Sequence, residues 1–237
     1  MHSSIAWLEG KTGKVDKMAM KNFQRDFSAV GNPTGFTTPI KAIIFDIDGV
    51  LADSRKAIAH NTIRLMKEFG FDVPDSRVEG MSSAHSAESV LIALAPPLEK
   101  DAALRKKMLD RLRELTSENM ALVKPSPLAA RVPELAAKYK LAAASNRKSS
   151  AHLVLRQIGI EKYFEVVMTS ADAPIKPDPT MIRLALAKLG VRADEAIFVG
   201  DNFEDMRAGE GAGVRAIMLD GMDELACARF LKEFLGD

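Results

Sequence analysis

The sequence predicts an α/β protein: a parallel-sheet core interrupted, after its first strand, by an inserted all-helical second domain. Three observations carry this. Short apolar segments recur after residue 124, each followed by a helical segment, as in β-α units whose strands are buried on both faces. One further strand of this kind, Ala42 to Phe45, stands far ahead of the others. The stretch between, 55 to 123, carries helical spacing and no convincing strand. The expected division is therefore an N-terminal extension at 1–39, a core made of 40–54 and 124–237, and a helical insertion at 55–123.

The elements follow in order. Residues 1 to 39 hold a short helical candidate at Met18–Phe27 and loop-like stretches at Gly31–Gly35 and Thr37–Pro39. Ala42 to Phe45 is short, continuous and rich in β-branched and aromatic residues, so it reads as a buried strand. Ser54 is a candidate N-cap for a helix reaching Phe69 and closed by Gly70. Phe71 to Gly80, with Pro74, reads as a loop, and Ser86 to Ala95 as a helix stopped by Pro96-Pro97. Leu98 to Leu122 reads as one long charged helix, because Leu104, Met108, Leu112 and Leu115 recur at helical spacing.

Pro125-Ser126-Pro127 marks the return to the core. Helices are then expected at Leu128–Tyr139, Ser150–Ile158, Pro179–Leu189 and Asp205–Ala212, and strands at Leu141–Ala144, Phe164–Met168, Ala196–Val199 and Val214–Leu219. Asp223 to Leu231 is a further helical pattern, in which Cys227 reads as a small apolar packing residue.

Composition narrows the function. The 237 residues are 47% hydrophobic, and 33 basic side chains meet 32 acidic ones for a net charge of +1. Such a balance gives no reason to expect nucleic acid or an acidic membrane as partner. A single cysteine excludes an intramolecular disulfide and fits a reducing compartment, so a cytoplasmic location is expected. No stretch approaches the roughly 18 to 20 apolar residues of a membrane span, and the N-terminus lacks the plan of a secretion signal. A monomer or a homodimer is expected.

The chemistry sits where strands end. A buried strand running into Asp46-Ile47-Asp48-Gly49 is hard to explain by packing, since buried acids are costly unless paired or metal-bound. In an open parallel sheet the ligand site lies beyond the carboxyl ends of the strands. There the chain places Asp46 and Asp48, then Ser145 and Asn146, then Lys176, then Asp201 and Asp205. Singly, each has an ordinary explanation: a helix N-cap, a solvated loop lysine, a tight turn, a first-turn acid. Their succession, each after its own strand, is what those explanations miss.

Carboxylates, a hydroxyl, an amide and an ammonium suit a phosphoryl group held beside a hard cation. Asp46 and Asp201 offer oxygen ligands with no Cys or His near, so Mg²⁺ is the expected cofactor and a small phosphorylated metabolite the expected partner. A carboxylate here can serve as nucleophile. Asp48, two residues on, can act as acid and base. Ser145 can bind phosphoryl oxygens, and Lys176 can supply positive charge.

The four stretches together resemble the motifs of the haloacid dehalogenase (HAD) superfamily. Asp46-Ile47-Asp48-Gly49-Val50 is similar to its first motif, Ser145 to the second, Lys176 to the third, and Gly200-Asp201-Asn202-Phe203-Glu204-Asp205 to the fourth. The resemblance covers about 41 to 220. It implies a Rossmann-like core with a C1 cap, as in the phosphoglycolate phosphatase and β-phosphoglucomutase-like branch. It further implies Asp46 as nucleophile, Asp48 as acid/base, and Mg²⁺ held by Asp46, the backbone carbonyl of Asp48, and Asp201, with Asp205 outer-shell or bound through water.

Within that family, dehalogenases lack the second aspartate, so Asp48 argues for phosphate chemistry. Phosphonoacetaldehyde hydrolases need a cap lysine, and no lysine lies between Lys67 and Lys100. A mutase needs cap cations, for which Arg77 is the candidate near the cap loop. The expected activity is a phosphatase acting on a small phosphate monoester, with phosphoglycolate as default substrate. A phosphomutase and a non-catalytic binding module are the alternatives. Substrate contacts are expected from Gly80–His85, and Arg147 reads either as a contact to a substrate anion or as a surface residue at a helix start.

Overall fold

The computed structural model describes residues 38–79, 86–148, 150–219 and 221–232. The helix expected at Met18–Phe27, the loops at Gly31–Gly35 and before Thr38, and the loop Gly80–His85 lie outside the described residues. Thr38–Phe230 is one compact unit.

Five strands form the sheet: β1 (Ala42–Phe45), β4 (Lys140–Ala144), β5 (Val166–Met168), β6 (Ala196–Gly200) and β7 (Arg215–Met218). Their order is β5-β4-β1-β6-β7, and all pairs are parallel. β1 is central, and all four of its residues are fully buried, which is why it reads as an uninterrupted apolar run. Phe45 stands level with Ala143 on one side and Val199 on the other. The residues that follow these three strands therefore emerge together at one edge.

Helices cover the sheet: α5 (Pro127–Lys138), α6 (Ser150–Gln157), α7 (Thr180–Leu189), α8 (Phe203–Ala212) and α9 (Glu224–Phe230). Ala142 and Ala144 are small, so Met181, Ile182, Ala185 and Leu186 of α7 pack closely with them, Ile44 and Phe198. Burying such side chains contributes about 1.5–3 kcal/mol each for the larger ones. α7 and α8 end on Gly190 and Gly213 in the left-handed conformation, the common glycine stop.

The insertion is helical as expected: α1 (Arg55–Glu68), α2 (Asp75–Glu79), α3 (Ala87–Leu94) and α4 (Ala102–Glu118). It has an apolar cluster of its own, built on Leu65, Met66, Leu91, Leu98, Met108 and Leu115. Two expectations are corrected here. The single helix Leu98–Leu122 is three pieces: a 3-10 turn at Pro96–Glu99, α4, and a 3-10 turn at Met120–Leu122. Asp101 cuts it by accepting the Leu104 N–H as an N-cap. The loop at Phe71–Gly80 contains α2, with Val78 buried.

Other boundaries move less. Strand Phe164–Met168 starts at Val166 after a 3-10 turn at Glu161–Tyr163, and helix Asp205–Ala212 starts at Phe203. Ser54 occupies the N-cap position of α1 without a side-chain capping bond. A two-residue antiparallel ribbon, β2 (Ala52–Asp53) with β3 (Lys124–Pro125), closes the base of the insertion. Ser126 secures it, with N–H to Leu51 O at 2.9 Å and Oγ to Val50 O at 2.6 Å. Among the described residues, no helix is long and apolar enough to cross a membrane.

Candidate active site

Asp46, Asp48, Ser145, Asn146, Lys176, Asp201 and Asp205 meet at the carboxyl edge of β1, β4 and β6. Asp46 follows β1 directly, with its N–H on Val199 O at 2.8 Å, and is 5% exposed. Gly49 turns the chain at φ +80°, and a Cβ there would run into Asp201 Oδ2. The acidic loop therefore needs glycine twice over, for its dihedral and for its closeness to Asp201. A Cβ at Gly200 would similarly run into Asp205.

Lys176 is the hub. Its Nζ lies 2.7 Å from Asp46 Oδ1 and 2.6 Å from Asp205 Oδ1, and 5.4 Å from the centre of the Phe198 ring. The residue is 3% exposed. Two buried carboxylates hold its ammonium well above the usual lysine range, although burial pulls the other way. Asn146 fixes the lysine's backbone: its Oδ1 accepts the Lys176 N–H at 2.8 Å, and its Nδ2 donates to Lys176 O at 3.3 Å. Ser145 Oγ accepts the Arg147 N–H at 3.2 Å, and the residue is 1% exposed.

The fourth stretch is organised by Asn202, the N-cap of α8. Its Oδ1 accepts the Asp205 N–H at 2.9 Å, and its Nδ2 donates to Asp201 Oδ1 at 2.9 Å. Asp205 Oδ2 accepts the Asp201 N–H at 3.1 Å. Carboxylate oxygens of Asp46, Asp201 and Asp205 lie within 4.8 Å of one another. Burial, joined by the like charges of Asp205, Asp48 and Asp201, raises Asp46 well above the usual carboxylate range even beside Lys176. Asp201 is pushed up to about 6 by burial and by Asp205.

Asp48 is different. Burial would raise it, but the Arg147 guanidinium overrides this and lowers it. Arg147 Nε is 2.6 Å from Asp48 Oδ2, and Nη2 is 2.7 Å from Oδ1. The Ser54 hydroxyl also adds to the lowering of Asp48. This pair joins residues 99 positions apart, and reading residue by residue missed it. The parallel register was the available signal: Phe45 and Ala143 are level, so the turns that follow them meet. Arg147 is a part-buried site residue, which corrects its reading as a surface helix start. Arg77, the candidate cap cation, donates to Ala93 O at 2.7 Å, tying α2 to α3.

The group fits a hard divalent cation. Its donors are all oxygen. Asp46, Asp48, Asp201 and Asp205 face two cations, Lys176 and Arg147, so two carboxylates go unmatched. Among the described residues Asp201 has no ion-pair partner.

A parallel α/β sheet here gathers buried acids around Lys176 at its carboxyl edge. The family model for haloacid dehalogenase-like hydrolases matches residues 43–219, and the chain belongs to that family. The chain is 28% identical over 186 residues to pyrophosphatase PpaX of Bacillus velezensis, covering 74% of this chain and 81% of that protein. It is 28% identical to phosphoglycolate phosphatase of Aquifex aeolicus, covering 76% and 84%. β-Phosphoglucomutase of Clostridium difficile has the same fold, with a TM-score of 0.68 at 17% identity over 83% of this chain and 98% of that one. The enzyme is a phosphatase of the HAD type.

Proposed function

We propose a Mg²⁺-dependent phosphatase that hydrolyses a small phosphate monoester through a phosphoryl group carried on Asp46, with phosphoglycolate the first substrate to try. The observation that carries it is the buried Asp46 carboxylate, 2.7 Å from Lys176 Nζ and grouped with Asp201 and Asp205. Asp46 and Asp201, with the Asp48 backbone carbonyl, would hold the cation, and Asp205 supports them through Asp201 N–H and Lys176. When bound, the cation supplies positive charge against the phosphoryl oxygens.

An Asp46 oxygen forms a bond to phosphorus as the ester P–O bond breaks, and the leaving oxygen takes a proton that Asp48, turned away from Arg147, has picked up from solvent. Water then attacks the same phosphorus and gives its proton to Asp48, and the bond to Asp46 breaks to release phosphate. Lys176 keeps one Asp46 oxygen fixed and adds charge where the transition state is negative. Ser145 and nearby N–H groups bind phosphoryl oxygens. The helices of 55–123 form the cap over a core of 40–54 and 124–237, and the cap excludes water from the site and selects substrate. A cytoplasmic location accords with the single cysteine.

Phosphate release with and without Mg²⁺ tests this, over phosphoglycolate, pyrophosphate and sugar phosphates. Strong Mg²⁺-dependent release from one of them is expected. Release that is indifferent to chelator overturns the metal. Near-normal release by Asp46→Asn overturns the covalent step.

A further inference from the structure

Both oxygens of Asp48 are engaged by one guanidinium, and that guanidinium is anchored. Arg147 Nη1 donates to Ser150 Oγ at 3.1 Å at the start of α6, while Nε and Nη2 clasp Asp48 at 2.6 and 2.7 Å. The side chains are 12% and 14% exposed. Asp46 adds to the field at Arg147. A carboxyl group clasped at both oxygens cannot present an O–H to a leaving group. Something must first draw the arginine away.

We propose that Arg147 is a specificity latch on Asp48, released by a second anion on the substrate's leaving group. This inference rests on the phosphatase reading above. An ester whose leaving group carries a carboxylate or phosphate offers Arg147 a bidentate anionic partner in place of the one it gives up. The exchange of one ion pair for another is nearly balanced, and it frees Asp48 to take up a proton from solvent and turn it to the ester oxygen. An ester with an uncharged alkyl leaving group offers no exchange, so it must break the clasp unaided. The latch therefore discriminates in turnover as well as in binding. Arg147 acts here as a positioning residue for Asp48 and as the contact to the second anion.

A matched pair of esters isolates this: ethyl phosphate and phosphoglycolate differ by a carboxylate in place of a methyl group. Steady-state kcat and KM are measured for both, with p-nitrophenyl phosphate as a third ester whose leaving group needs no proton. Wild type should prefer phosphoglycolate over ethyl phosphate by about 10- to 100-fold in kcat/KM, the scale of one charged hydrogen bond. Arg147→Lys keeps the charge but cannot clasp two oxygens. It should raise kcat for ethyl phosphate, raise KM for phosphoglycolate, and shrink the preference about tenfold. Arg147→Met should abolish the preference, and the lysine variant covers the case in which methionine does not fold. A preference that neither variant moves, with both esters slowed in parallel, overturns the latch and leaves the phosphatase standing. No phosphate from any of the three esters overturns the phosphatase reading and the latch with it.

Discussion

Lys176 and Asp46 are partners whose loss is expected to affect stability very unequally. Lys176 offsets two buried carboxylates at once. Lys176→Met leaves both unpaired, which typically costs about 3–5 kcal/mol of stability. It should also lower turnover about 10²- to 10³-fold, as loss of one preorganised charge does. Mg²⁺ should restore part of its melting temperature and little of its rate. Asp46→Asn removes a carboxylate that burial and its acidic neighbours already disfavour, and Lys176 keeps Asp205. Turnover should vanish while the melting temperature moves by a few degrees at most. A melt and a phosphate assay on the two variants check both halves, and equal destabilisation would contradict the account. Asp46, Asp48 and Lys176 were legible because acids and a lysine after apolar strands have few packing explanations. The pairing of Arg147 with Asp48 was not, since the two lie 99 positions apart. Asn146 also grips the Lys176 backbone with its side chain, a contact that no local spacing encodes.

The central strands β1, β4 and β6 were read nearly to the residue because burial on both faces writes them as apolar runs. Helix ends were read less well, because periodicity passes through a break that a cap imposes. Leu104 to Leu115 keeps its spacing whether or not Asp101 starts the helix. The ribbon β2/β3 is two residues per strand, too short to leave a pattern. At this scale the acidic turn makes the sharpest prediction. Gly49→Ala incurs the left-handed backbone penalty of about 1–2 kcal/mol and drives a methyl group into Asp201 Oδ2. Gly70 has a similar dihedral, φ +75°, and open space around it, so Gly70→Ala incurs the backbone penalty alone. Both variants should melt earlier. Gly49→Ala should in addition lose at least about tenfold in Mg²⁺ affinity, the effect expected when a metal ligand or its support is displaced. Calorimetric titration with Mg²⁺ separates them, and equal affinities would show that the turn does not set the Asp201 position.

Over the whole molecule, the unmatched acidic charge couples stability to pH and to the cation. Asp201 has a folded pKa of about 6 against an ordinary 3.8, and Asp46 is raised in the same sense. Between those pH values the folded state holds a proton that the unfolded chain has released. Metal-free stability from this site must therefore fall as pH rises from about 4 to 6, and the loss stays in place above that. A divalent cation binds the ionised form, so it competes with that proton and reverses the penalty. The stabilisation it gives grows with its affinity as RT ln(1 + [L]/Kd), and the affinity rises with pH across the same window. Thermal melts in chelator and in millimolar Mg²⁺, at pH 5 and pH 7.5, should show a clearly larger Mg²⁺ shift at the higher pH. Asp201→Asn identifies the group responsible: it should melt higher than wild type in chelator at pH 7.5 and lose most of the Mg²⁺ shift. A Mg²⁺ shift of equal size at both pH values, or one that survives Asp201→Asn, would place the cation elsewhere on the molecule.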